Sequence, residues 1–166
     1  MSPHLYDFLR VTVVQGIFVG YRGYDANGLF PLFPFGHGLS YTIFEYSGLR
    51  ISEESGGTFT VVFTIKNTGQ VPSREVVQIY ISDVESSLCR PPKELKGFTK
   101  VGPLDPGQRK LVQIPLDREA LGFYHPEKQQ WIAEEGSFQV WVGASSRDLR
   151  LKGTFELEKS VPWTGL

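Results

Sequence analysis

Few side chains in this sequence have the type and spacing that chemistry requires. There is a single cysteine, Cys89, in 166 residues. One thiol makes no disulfide within the chain, and a nucleophilic thiol needs a positioned base and a lowered pKa, which nothing nearby supplies. His4, His37 and His125 stand far apart and have no cysteine or carboxylate at ligand spacing. No metal site is expected, and no cofactor. Asn27 and Asn67 are the only asparagines, and neither begins an Asn-x-Ser/Thr sequon.

Charge narrows the partners. Lys and Arg number 17 against 18 Asp and Glu, a formal net charge of -1. That balance argues against a nucleic-acid protein or a basic membrane-surface module. Residues 1–10 lack a basic leading segment, and the apolar run from Val11 to Gly20 is broken by Thr12, Gln15 and Gly16. No signal peptide or transmembrane segment is expected, so the chain as it stands reads as intracellular. Its length suits one domain with a short appendage. The 18 Gly, 11 Pro, 12 Phe, 7 Tyr and 3 Trp lean toward β structure with many turns.

The elements follow from periodicity. Residues 16–41, GIFVGYRGYDANGLFPLFPFGHGLSY, are dense in Gly, Pro and aromatics and have no helical period. They are expected to form an extended strap, with a tight turn at Asp25-Ala26-Asn27-Gly28. The strap is too apolar for a solvated linker, so its aromatics should lie on another surface, either a partner's or the sandwich's own. From Phe44 onward the period is two. Phe59, Val61, Phe63 and Ile65 share one face of a half-buried strand. In Glu75 to Ser82 both faces carry apolar residues, which implies a central strand covered on each side. Pro115 lacks an N–H and places its strand at an edge. Asp117 is the expected N-cap of a single helical turn. About seven short strands separated by turns predict an all-β, immunoglobulin or fibronectin type III-like sandwich. The expected division is 1–43 as N-terminal segment and linker, 44–158 as sandwich and 159–166 as tail.

Several motifs carry a resemblance. VGYR and FPFGHGLSY in the strap resemble the stretch that leaves the second catalytic domain of glycoside hydrolase family 3 β-glucosidases. Glu75 to Tyr80, Arg90 to Phe98, Val142 to Asp148 and the terminal Trp163-Thr164-Gly165-Leu166 look like the fibronectin type III-like domain that closes those enzymes. The resemblance runs from about Gln15 to Leu166. Met1 to Val14 does not match, and Gln15 stands where the family usually has Glu.

The resemblance implies retaining hydrolysis of terminal β-glucosyl residues by a carboxylate nucleophile and an acid/base carboxylate. In the family both lie in domains that precede the part seen here, so no catalytic residue is expected in this chain. Ser82-Asp83-Val84 echoes the nucleophile motif, but with Val84 in place of Trp, and Asp83 is read as a loop acid. Glu53-Glu54 and Glu134-Glu135 are read as solvated pairs beside turns. The implied function is that of a non-catalytic accessory domain bracing the catalytic domains of a β-glucosidase-like hydrolase. Phe18, Tyr21, Arg22, Tyr24, Asp25, Phe30, Phe33 and Phe35 are the candidate interdomain contacts, with self-association through an exposed strap. The alternative is a stand-alone carbohydrate-binding or protein-interaction module, in which Tyr80, Trp131 and Trp141 stack on sugar rings. Family members occur both inside and outside cells. The purified chain is expected to leave an aryl β-glucoside intact; turnover abolished by Asp83→Asn would contradict this.

Overall fold

The computed structural model describes residues 16–54 and 58–165. The targeting reading of the first residues, His4, Gln15 and the non-matching start lie outside the described residues. Ten strands and two short helices are described. Strands β1 (Phe44–Glu54), β2 (Thr58–Asn67) and β5 (Arg109–Leu116) form one sheet, in the order β1-β2-β5. Strands β3 (Ser73–Asp83), β4 (Glu94–Leu104), β8 (Gly136–Gly143) and β9 (Leu149–Leu157) form the second, in the order β4-β3-β8-β9. These seven are the sandwich that the alternation predicts. All their pairings are antiparallel.

The period-two pattern places the core. Phe59, Val61, Phe63 and Ile65 of β2 face Val77, Ile79 and Ile81 of β3 and Phe138, Val140 and Val142 of β8, all buried. Phe155 of β9 reaches across to stack with Phe59 and Phe138, at centroid distances of 4.1 and 5.4 Å. The sheets close on one another at Gly97 of β4, where a Cβ would stand only 2.9 Å from the Ile114 side chain. Pro115 lies in β5, which pairs with β2 alone, so its missing N–H faces no partner strand.

Asn67, at the end of β2, is a buried junction. Its carboxamide oxygen accepts from Thr42 Oγ1 at 2.6 Å and from the Gly69 N–H at 3.0 Å. Its nitrogen donates to the carbonyls of Val71 and Leu104, both at 2.9 Å. One satisfied side chain thus ties the end of the strap, the β2–β3 turn and β4 together.

Three features differ from the sequence expectation. The strap holds a helix, α1 (Tyr21–Ala26), where an extended chain and a turn were expected. Gly20 (φ 62°) and Gly28 (φ 64°) bracket it, and Asn27 Nδ2 donates to the Gly23 carbonyl at 2.8 Å, so one turn forms without any apolar period. A small third sheet, β10-β7-β6, joins β6 (Phe123–His125), β7 (Gln130–Ala133) and β10 (Val161–Trp163). Strands of three residues are too short to show a period. The expected tail at 159–166 therefore contains a strand, and Trp163 is buried with the core, stacked on Trp131 at 6.2 Å. Its indole has more apolar area to hide than a free tail would allow. The second helix, α2 (Arg118–Leu121), is capped as expected, with the Asp117 carboxylate accepting from the Ala120 N–H at 2.9 Å.

Phe63→Ala should lower the unfolding free energy by about 3–5 kcal/mol, because a fully buried ring leaves a cavity. Urea denaturation followed by tryptophan fluorescence measures it, and an unchanged midpoint would place Phe63 outside the core.

Candidate interdomain surface

The strap lies across the outer face of β3, and that contact explains why this strand is apolar on both sides. Tyr80 on the outer face is fully buried. Tyr21 of α1 meets it edge-on at 5.9 Å, and Phe35 stacks on Tyr21 at 4.8 Å. The Tyr21 hydroxyl accepts the Leu95 N–H at 2.7 Å. Gln78, also on this face, donates through Nε2 to the carbonyls of Gly36 (3.2 Å) and Ala144 (2.8 Å), while its Oε1 accepts from the Tyr80 hydroxyl at 2.5 Å. Gly36 has a φ of 78°, and a Cβ there would overlap the Gln78 carboxamide. Only glycine lets the strap lie this close.

Charge fixes the strap more firmly than apolar contact does. The Asp25 carboxylate is almost fully buried between Lys93, in the β3–β4 loop, and Arg147, in the β8–β9 loop, with Arg147 at 2.7 Å. Arg147 also donates to the Leu29 carbonyl at 2.9 Å, and its guanidinium lies 5.3 Å from the Phe30 ring centroid. The Ser146 N–H reaches the Phe35 carbonyl at 2.9 Å. Arg22 pairs with Glu94 at 3.3 Å. Glu94 in turn bonds Arg90 at 2.8 Å and approaches Lys96 at 3.7 Å. Burial opposes ionisation of Glu94, but Lys96, Arg90 and Arg22 outweigh it and hold the carboxyl below the usual range.

The expected contact residues divide by face. Tyr21, Arg22 and Asp25 turn inward to the sandwich, and Phe18 is half-buried. Tyr24, Phe30, Phe33 and Phe35 keep substantial exposed area. The sequence reading counted aromatics and passed over the aliphatic residues beside them. Leu32, Leu39 and Tyr41 are 89%, 94% and 95% exposed, with Leu29 and Ile43 close behind. Val76 and Phe98 add exposed apolar side chains from β3 and β4. The high apolar content of the strap held this signal, but which residues faced outward depended on where Lys93 and Arg147 would sit.

The other candidates find structural roles. Tyr80 offers no face to a sugar, because the strap covers it; that expectation is corrected. Trp131 is stacked on Trp163 and meets Tyr124 edge-on at 5.8 Å, and Trp141 carries the Lys152 ammonium 5.4 Å from its ring centroid. Asp83 is no open loop acid. It ends β3 with its carboxylate buried against Arg90 at 3.1 Å, and burial pushes its pKa up despite that partner. Arg90 also donates to the Leu121 carbonyl at 3.2 Å and lies over Phe123. Glu134 accepts from the Ser87 N–H and hydroxyl at 2.8 and 2.6 Å. Cys89 is exposed, and no group of three metal-binding side chains occurs among the described residues. No described helix is long and apolar enough to cross a membrane.

Asp25→Ala leaves two cations facing each other without their counter-ion. It should lower stability to urea by on the order of 2 kcal/mol. Glu119→Ala, which breaks an ion pair in open water, should leave the curve in place. Acid acts in the same direction as Asp25→Ala. The folded-state pKa of Glu94 is depressed, so its contribution is present above its ordinary value of 4.5 and lost as pH falls through the lower folded value.

The comparisons agree with this architecture. Residues 75–146 match the fibronectin type III-like domain family. Thermostable β-glucosidase B of Acetivibrio thermocellus is 45% identical over 155 residues, which are 92% of this chain and 20% of that protein. β-Glucosidase 3B of Thermotoga neapolitana superposes with a TM-score of 0.86 at 39% identity, covering 92% of this chain and 21% of that one. The β-glucosidase of Kluyveromyces marxianus gives 0.84 at 41% identity, over 92% and 18%. The chain thus spans about one fifth of the length of the relatives it matches. In these multidomain relatives the matching part lies in the same polypeptide as the remainder of the enzyme. Residues 75–146 form a fibronectin type III-like domain, and the chain belongs with the fibronectin type III-like accessory part of glycoside hydrolase family 3 β-glucosidases.

Proposed function

We propose that this accessory domain braces the catalytic domains of a β-glucosidase-like hydrolase, and that it does so through the outer face of its strap. The observation that carries the reading is the two-sidedness of residues 16–43. One side is clamped to the sandwich by Asp25, Tyr21 and the Phe35 carbonyl. The other presents Phe30, Leu32, Phe33, Leu39, Tyr41 and Ile43 to the exterior. A contiguous apolar surface of this kind marks an interaction site. The relatives are roughly five times longer, so the body that covers it belongs to the same polypeptide in them.

In this reading, residues 1–43 belong with the end of a preceding α/β domain and 44–158 with the sandwich. Clamping by the sandwich gives the strap a fixed shape before it meets its partner, which lowers the ordering cost of docking. Without the covering body the same surface promotes self-association. The carbohydrate-binding alternative loses Tyr80, and Trp131 and Trp141 are occupied by neighbouring side chains.

Grafting this chain in place of the matching fifth of the Acetivibrio thermocellus enzyme tests the reading. The chimera is expected to hydrolyse an aryl β-glucoside and to melt in one transition. Leu32→Glu with Tyr41→Glu should split that transition and lower the first midpoint by several degrees. A wild-type chimera whose parts melt independently would overturn the reading.

A further inference from the structure

A cleft of about 550 Å3 opens between the strap at Gly36–Ile43, the start of β3 and the β8–β9 loop. Its apolar rim is made by Leu39, Ile43 and Val76, all exposed. Its charges are unequally satisfied. Arg150 is held by Asp148 at 2.6 Å, by Glu75 at 3.5 Å and by the Phe44 carbonyl at 3.1 Å. Glu75 also accepts from the Tyr46 hydroxyl at 3.1 Å, and the Arg150 guanidinium lies 4.6 Å from the Tyr46 ring centroid. These three charged groups neutralise one another within the wall. Arg74 lines the same cleft, is exposed, and makes no ion pair or side-chain hydrogen bond among the described residues. His37, the remaining titratable group, is stacked on Phe33 and has no acidic partner there.

We infer that this cleft accepts a carboxylate side chain flanked by apolar residues, projected by a loop of the covering domain, with Arg74 as its counter-ion. The inference rests on the docking role proposed above and adds the chemistry of the partner. Charge complementarity selects the ligand. The wall has one cation in surplus, beside three apolar side chains that would bury the aliphatic neighbours of an acid. A guanidinium suits a carboxylate, because its fork offers two parallel donors. Glu75 and Asp148 do not compete for Arg74, since Arg150 and Tyr46 already engage them.

The test uses the chain itself and two small probes of one skeleton, 3-methylbutanoate and 3-methylbutan-1-ol, followed by backbone amide NMR. The carboxylate is expected to shift the amides of Leu39, Ile43, Arg74 and Val76 saturably, with a Kd of about 10 mM, in keeping with so few heavy atoms. The alcohol should bind at least tenfold more weakly. Arg74→Gln should abolish the difference between the probes, and Arg74→Lys should retain part of it. Arg74 is exposed, so neither variant threatens the fold. Equal shifts from both probes, no shifts, or shifts unchanged in Arg74→Gln would overturn the inference. Those outcomes leave the docking reading standing, because the chimera tests that reading separately.

Discussion

One buried carboxylate holds the outer layer of this molecule in place. Asp25 sits between Lys93 and Arg147, which come from loops on opposite sides of the central strand β3. Removing a carboxylate from water is costly, and a single cation seldom offsets it. Two cations and the surrounding hydrogen bonds do. The geometry is demanding: both loops must be in position before Asp25 has anywhere to go. The strap therefore docks only on a sandwich that has already folded, and the sandwich's outer face is complete only once the strap is down.

That dependence explains the distribution of glycine and aromatics in the strap. Gly36 permits the close approach that lets Gln78 bond two backbones at once. Tyr21 serves three neighbours, stacking on Phe35, meeting Tyr80 and accepting from Leu95. With these contacts made on one side, the remaining leucines and aromatics have only the other side to occupy. A two-faced strap follows from the clamp, and the exposed face is what a larger enzyme needs in order to seat its accessory domain without disturbing the sandwich's own core.

The sandwich was legible in the sequence because burial there follows strict alternation: Phe59 to Ile65 and Phe138 to Val142 announce their inner faces, and Pro115 announces an edge. The double burial of β3 was legible too, in Val76, Gln78 and Tyr80, although what covers it was not. The strap resists such reading. Its contacts are non-local, pairing Asp25 with residues about seventy and one hundred and twenty positions away, so no local period records them. The motifs that carry the family resemblance are the ones that meet here, since Asp25, Lys93 and Arg147 each fall within or beside one. Tyr80, Trp131 and Trp141 were misjudged for the opposite reason. A strand period distinguishes inner from outer, but outer is not the same as exposed when another segment lies on top.

The most direct measurement is hydrogen exchange at two amides of the isolated chain, Leu95 and Ser146, whose acceptors are the Tyr21 hydroxyl and the Phe35 carbonyl of the strap. If the strap is clamped to the sandwich on its own, both amides exchange slowly, with opening free energies near those of the β3 amides. If both exchange at the rate of an open loop, the strap is not held by the sandwich, and the two-faced surface described here does not exist without its partner.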